Sequence, residues 1–181
     1  MNRFARGAAV FAAGLMFSLA AAAQEGDGQT GGLQLSDDEP IQIESDKLEV
    51  DEEKGIAIFT GNVTVVQGDN LLKSGRMTVY YGEGGALTSG TSNIEKIEMD
   101  DKVYMKSKDQ VATGDHGTYD MKSQIFVLTG NKVVLSQGEN VAEGCKLTAN
   151  TATGQARLDG CGGKSSGGRV RTLLQPEQRN R

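Results

Sequence analysis

The sequence predicts an all-β domain assembled from repeated β-turn-β units, with no helix after its N-terminal segment. Three observations lead there. From residue 41 onward apolar residues return at every second position; clusters of Gly, Asn and Asp punctuate them; and one stretch of chain is written twice. Alternation places one row of side chains on one sheet face and leaves the other wet. A helix needs apolar residues at i, i+3, i+4 and i+7, and from Ile94 that template finds Ile97 and then Glu98 and Asp101.

The chain opens differently. "MNRFARG" carries Arg3 and Arg6, "AAVFAAGLMFSLA" is apolar, and "AAAQ" supplies small residues for cleavage. Residues 1–23 read as a secretory signal peptide cut after Ala23. The alternative, a membrane anchor, needs about 20 apolar residues, more than this run contains. Residues 24–40 read as a flexible acidic linker, residues 41–174 as the folded domain and residues 175–181 as a polar tail.

Removing Arg3 and Arg6 from a formal net charge of -5 leaves -7, which argues against nucleic acid as a partner. Residues 25–53 hold eleven Asp or Glu against Lys47, whereas the C-terminal stretch from residue 164 holds Lys164, Arg169, Arg171, Arg179 and Arg181 against Glu177. Ends of opposite sign suit end-to-end contact between copies, or are simply two solvated tails.

Within the domain the alternating pairs run in order: Ile41 and Ile43, Leu48 and Val50, Ile56 and Ile58, Val63 and Val65, Met77 and Val79, Ile97 and Met99, Val103 and Met105, Ile125 and Val127, Val133 and Leu135. Between them lie "DEEKG", "TGN", "QGDN", "GEGG", "MDDK", "QGEN" and "TATGQ", whose residues tolerate the positive φ of tight turns. Reading each cluster as a turn gives roughly 14 short strands, too many for one flat sheet.

Residues 43–63 align without a gap on residues 112–132, so that Asp46 meets Asp115, Ile56 meets Ile125, and Thr60-Gly61-Asn62 meets Thr129-Gly130-Asn131. "QGDN" and "QGEN" follow in each copy, and "SGRMTVYY" with "MDDKVYM" forms a weaker half-unit between them. Such units bury their apolar faces against their neighbours, so the repetition expresses architecture.

Cys145 and Cys161 flank "KLTANTATGQARLDG" symmetrically about Thr153. If Lys146 to Asn150 and Ala156 to Gly160 form a hairpin, the two thiols face each other, and an exported chain would oxidise them. Two free thiols remain the alternative; a metal site would lack further ligands nearby.

Catalytic signals are sparse, and the chain reads as a non-enzyme. His116 is the sole histidine, and Asp115 beside it would point to the opposite strand face. No phosphate loop, dinucleotide fingerprint or metal-binding His/Cys cluster occurs, so no catalytic residue, metal or cofactor is assigned. The carboxylates of "KLEVDEE" and "IEKIEMDD" alternate with apolar residues, which puts them on the solvated face. Past the signal the aromatic residues are Phe59, Phe126, Tyr80, Tyr81, Tyr104 and Tyr119, without Trp. Inward rows of Ile, Val, Leu, Met and Ala describe a loosely filled groove for a flexible apolar ligand or an ordinary packed core equally well.

"EPIQIESDKLEVDEEKGIAIFTGNVTVVQGDNLLKSGRMTV", "GTYDMKSQIFVLTGNKVVLSQGENVAEGCKLT" and the late "GGRVRTLLQP" resemble the OstA-like family of periplasmic lipopolysaccharide transport proteins, over about residues 40–176. The resemblance implies an open, twisted β-jellyroll whose interior shields the acyl chains of lipopolysaccharide. It implies location in the periplasm, head-to-tail self-association, and docking to inner-membrane and outer-membrane transport components of the same fold. On the family pattern Ile41, Ile43, Tyr119 and Met121 line the lipid path, and alternation extends the set to Leu48, Val50, Ile58, Val63 and Val65. The stretch Arg169, Val170, Arg171, Thr172, Leu173 and Leu174 matches the edge that receives the next copy. Cys145 and Cys161 depart from the family pattern. A β-repeat scaffold or sister component without cargo is the competing expectation.

Overall fold

The computed structural model describes residues 39–82, 85, 93–162 and 168–176. The signal peptide expected at residues 1–23, most of the acidic linker and residues 177–181 of the tail lie outside them. The described residues form ten strands and no helix: β1 (Gln42–Glu44), β2 (Lys47–Asp51), β3 (Ile56–Gln67), β4 (Asn70–Tyr81), β5 (Ile94–Ser107), β6 (Gln110–Asp120), β7 (Ile125–Gln137), β8 (Asn140–Asn150), β9 (Ala156–Asp159) and β10 (Arg171–Leu173).

All pairings are antiparallel, in the order β1-β3-β4-β5-β6-β7-β8-β10. β2 also pairs with β3, and β9 with β8. Each margin of the sheet is therefore one interrupted strand, β1 with β2 at one side and β9 with β10 at the other.

The strands are fewer and longer than the roughly 14 expected from the turn signals. "TGN" and "MDDK" do not close turns. Register between β3 and β4 shifts from Thr60 to Val63 and then resumes, and β5 shifts against β6 from Asp100 to Val103. β6 against β7 and β7 against β8 shift at the same level. Asn62, Asp101 and Lys102 have φ of 47°, 64° and 65°, so these clusters supply positive φ inside a strand, as β-bulges do. Lys108-Asp109 closes a two-residue hairpin between Ser107 and Gln110, longer turns join β2 to β3, β6 to β7 and β8 to β9, and the Gln-Gly stretches close two-residue hairpins as well. Gln67 pairs with Asn70 across Gly68 and Asp69, and Gln137 pairs with Asn140 across Gly138 and Glu139. Gly68 and Gly138 have φ of 55° and 56°, the left-handed conformation that two-residue hairpins demand.

A line of bulges crossing every long strand bends the sheet across its middle. Its two halves, the leaves, share one apolar cluster: Ala57, Phe59, Met77, Val79, Met99, Tyr119, Phe126, Leu128 and Leu147 from one leaf, with Val63, Val103, Met105, Ala112 and Val133 from the other. A Cβ on Gly114, in the bend of β6, would sit 2.7 Å from Leu128 Cγ, so glycine lets the leaves meet there. The structure joins Cys145 to Cys161, with Cα atoms 4.9 Å apart, where β9 runs back along β8.

Candidate functional site

Register fixes which side chains share the inner face. One cross-sheet row reads Leu48, Phe59, Met77, Met99, Gly117, Leu128, Leu147, Leu158, and the next Val50, Ala57, Val79, Ile97, Tyr119, Phe126, Ala149, Ala156. On the second leaf the row is Ile43, Val65, Leu72, Met105, Ala112, Leu135, Ala142, Thr172.

Of the residues expected on a lipid path, Val63 and Tyr119 lie in the apolar cluster, and Ile43, Val65 and Met121 pack against it. Tyr119 is anchored: its hydroxyl lies 2.9 Å from that of Thr151, which donates in turn to the carbonyl of Gln124. Leu48 and Val50 belong to the inner rows but stand at the margin, 43% and 45% exposed. Ile41 is half-buried just before β1.

Ile58 is a correction. It pairs with Glu49 and Thr78, in a row that continues through Glu98, Thr118 and Val127 on the outer face. The inward residues of that segment are its neighbours Ala57 and Phe59, and in the second copy Phe126 and Leu128. "IAIF" and "IFVL" are apolar on both faces, so alternation alone does not choose between them.

The cavity lies elsewhere. A cleft of about 550 Å³ opens between the leaves towards the β8–β9 margin, walled by Met105, Ala112 and Leu135 on one side and Leu147, Ala149 and Ala156 on the other. Ligand sites commonly occupy roughly 300–1,000 Å³. Ser107, Gln110, Gln137 and the β8–β9 turn from Asn150 to Gln155 stand at the leaf tips around it. Among the described residues its lining includes no Asp, Glu, Lys or Arg. None of the residues placed on the lipid path from sequence lines it; Met105 and Leu135 belong to the alternating pairs, but the walls come from five strands, β5 to β9, and are completed by small side chains such as Ala112, Ala149 and Ala156 that carry no periodic signal.

Charge sits outside. His116 Nδ1 and Asp100 Oδ1 are 2.7 Å apart across β5 and β6, so the partner of His116 comes from the neighbouring strand. That hydrogen bond raises the imidazole pKa above its ordinary value. Lys96 and Tyr80 both donate to Glu98, at 2.8 and 2.6 Å; Lys96 first and then Tyr80 hold its carboxyl below the usual range. Among the described residues no group of three or more His, Cys, Asp or Glu is placed to hold a metal ion. No helix among them is long and apolar enough to cross a membrane.

Among the described residues neither margin is covered by a further strand. β10 pairs with β8 alone, and Leu173 and Leu174 are 58% and 71% exposed. Of the expected edge stretch, Arg171, Thr172 and Leu173 form β10, while Arg169, Val170 and Leu174 flank it, all exposed.

These features define a class: an open, bent β-jellyroll with an apolar interior. Residues 42–155 match the family described as LptA/(LptD N-terminal domain) LPS transport protein, and the chain belongs to that family. It is 50% identical over 176 residues to an uncharacterized protein of Rhizobium meliloti (strain 1021), covering 95% of this chain and 92% of that one. It is 28% identical over 144 residues to the lipopolysaccharide export system protein LptA of Escherichia coli (strain K12), covering 78% and 74%. The crystal structure of LptH, the LptA-homologous periplasmic component of the lipopolysaccharide transport device of Pseudomonas aeruginosa, shares the fold. Its TM-score is 0.62 at 23% identity, over 76% of this chain and 96% of that one.

Proposed function

We propose that this chain is a periplasmic, non-enzymatic carrier of lipopolysaccharide, exported by a cleaved signal peptide, which shields acyl chains between its leaves and joins edge to edge into a bridge. The cleft, apolar on both walls and lined by no charged side chain among the described residues, is the observation that carries the reading. Burying about ten CH₂ groups of one acyl chain gains roughly 8 kcal/mol, too much for ready escape into water. Transfer to an equally apolar neighbouring groove is nearly level, so direction must come from an energy source elsewhere.

The margins support assembly. Unpaired N–H and C=O groups template another strand, which is how β-augmentation joins chains. Glu44, Glu49 and Asp51 mark the β1–β2 margin and Arg169 and Arg171 the opposite one, so a head-to-tail contact brings opposite charges together. The same margins suit inner-membrane and outer-membrane components of the same fold. Ile41, Ile43, Val63, Val65, Tyr119 and Met121 would continue the apolar path from the β1 side.

The test is co-purification. The chain isolated without detergent from the periplasm of exporting cells should carry lipid A by mass spectrometry. Leu135→Asp should lose it with an unchanged far-UV circular dichroism spectrum. A wild-type chain free of lipid A would remove the carrier role and leave a scaffold.

A further inference from the structure

The cleft is a wedge with a chemical gradient. β5, β6 and β7 each run from the bend to a leaf tip, passing Met105, Ala112 or Leu135 before reaching Ser107, Gln110 or Gln137. β8 does the same on the facing leaf, through Leu147 and Ala149 to Asn150 and Thr151. Its depth is therefore apolar and its mouth is made of amides and hydroxyls.

Several mouth groups are already committed. Gln137 Nε2 donates to Asp109 at 3.2 Å, Asn150 Oδ1 accepts from the N–H groups of Ala152 and Thr153, and Thr151 is held between Tyr119 and Gln124. The side chains of Ser107, Gln110 and Gln155 have no hydrogen-bond partner among the described residues and line the same cavity. Each both donates and accepts, so together they suit an uncharged group that does likewise. A phosphate brought among them would lose water and meet no cation in the cleft lining, since Lys108 of the exposed β5–β6 turn is not part of it, which is costly.

Resting on the carrier reading, the geometry points to a mouth that recognises the neutral linkage at the root of an acyl chain, an amide or a hydroxyl, through Gln110, Gln155 and Ser107. The ligand class is an amide-linked or hydroxylated acyl lipid, and its phosphates stay in water and are not read. Affinity thus follows the linkage chemistry and not the anionic charge.

The experiment uses the mature chain and the neutral dye 1-N-phenylnaphthylamine, which reports the apolar cavity alone. Three competitors displace it: lipid A with amide-linked hydroxyacyl chains, the same lipid A stripped of its phosphates, and phosphatidylglycerol, which carries a phosphate but neither amide nor hydroxyacyl chain. The two lipid A forms should compete within about threefold of each other and phosphatidylglycerol at least tenfold more weakly. The double variant Gln110→Leu with Gln155→Leu should still bind the dye, as tightly as wild type or more so, and lose about tenfold in affinity for lipid A. Tenfold weaker binding of the dephosphorylated form, or a double variant equal to wild type for lipid A, would overturn the linkage proposal while leaving the carrier intact. Dye bound but displaced by none of the lipids would overturn both.

Discussion

The carboxylate of Asp115 accepts the backbone N–H of Asn131 at 2.9 Å, across the bend from β6 to β7. Its counterpart in the first copy is Asp46, which accepts from the Asn62 side chain at 2.8 Å. In both copies a carboxylate at the bend, from the break between β1 and β2 in the first and from β6 in the second, pins the bulge of the next strand, so the spacing shared by the two copies holds the sheet folded.

Loosening that pin should open the leaves. Asp115→Ala removes one hydrogen bond, about 1 kcal/mol. Gly61→Ala places a side chain at φ 80°, against the Asp46 carboxylate, and should cost at least about 1–2 kcal/mol. Urea unfolding should show both losses, the second larger; an unchanged midpoint for Gly61→Ala would mean that the bulge carries no constraint.

Ser74 should behave in the opposite sense. It is 5% exposed, stands opposite Val63 on the inner face, and its Oγ has no hydrogen-bond partner among the described residues. A buried hydroxyl left unpaired costs about 1–3 kcal/mol. Ser74→Ala should therefore unfold at the same or a higher urea concentration, and a clear loss of stability would show that the hydroxyl has a partner.

The Cys145–Cys161 disulfide ties β8 to the end of β9 over a sequence separation of 16. Closing a loop of that size stabilises by about 3 kcal/mol in the chain-entropy model. The paired change Cys145→Ser with Cys161→Ser should lower the melting temperature by several degrees under oxidising conditions. A melting temperature insensitive to reductant in the wild type would contradict this.

His116 is the only histidine, so its titration is directly assignable by NMR. Its hydrogen bond to Asp100 raises its folded pKa above 6.5. The stabilisation it contributes is complete below the unfolded value and is lost as pH rises through the folded one. Asp100→Asn should bring the titration back towards 6.5; a wild-type value at or below 6.5 would show that the pair does not persist in solution.

Much of this fold is legible in the sequence, and the misses have physical causes. The Gln67–Asn70 and Gln137–Asn140 hairpins follow from glycine at a positive-φ position flanked by alternating strands. "TGN" has the same composition but sits where β3 and β7 keep pairing on both sides, and only long-range pairing separates a bulge from a turn. Alternation puts Ile58 on the inner face, and the register puts it on the outer one, because Ala57 and Phe59 beside it are apolar too. The cleft was invisible because Met105, Ala112, Leu135 and Ala149 meet only after the sheet bends.

Site-specific photo-crosslinking in cells exporting lipopolysaccharide tests the central claim most directly. A benzophenone side chain placed in turn at Leu135, Ala149 and Ile43, on the inner face, should form lipopolysaccharide adducts, and one at Ile58, on the outer face, should form none. Adducts from Ile58 matching those from Leu135, or none from any inner position, would contradict the account.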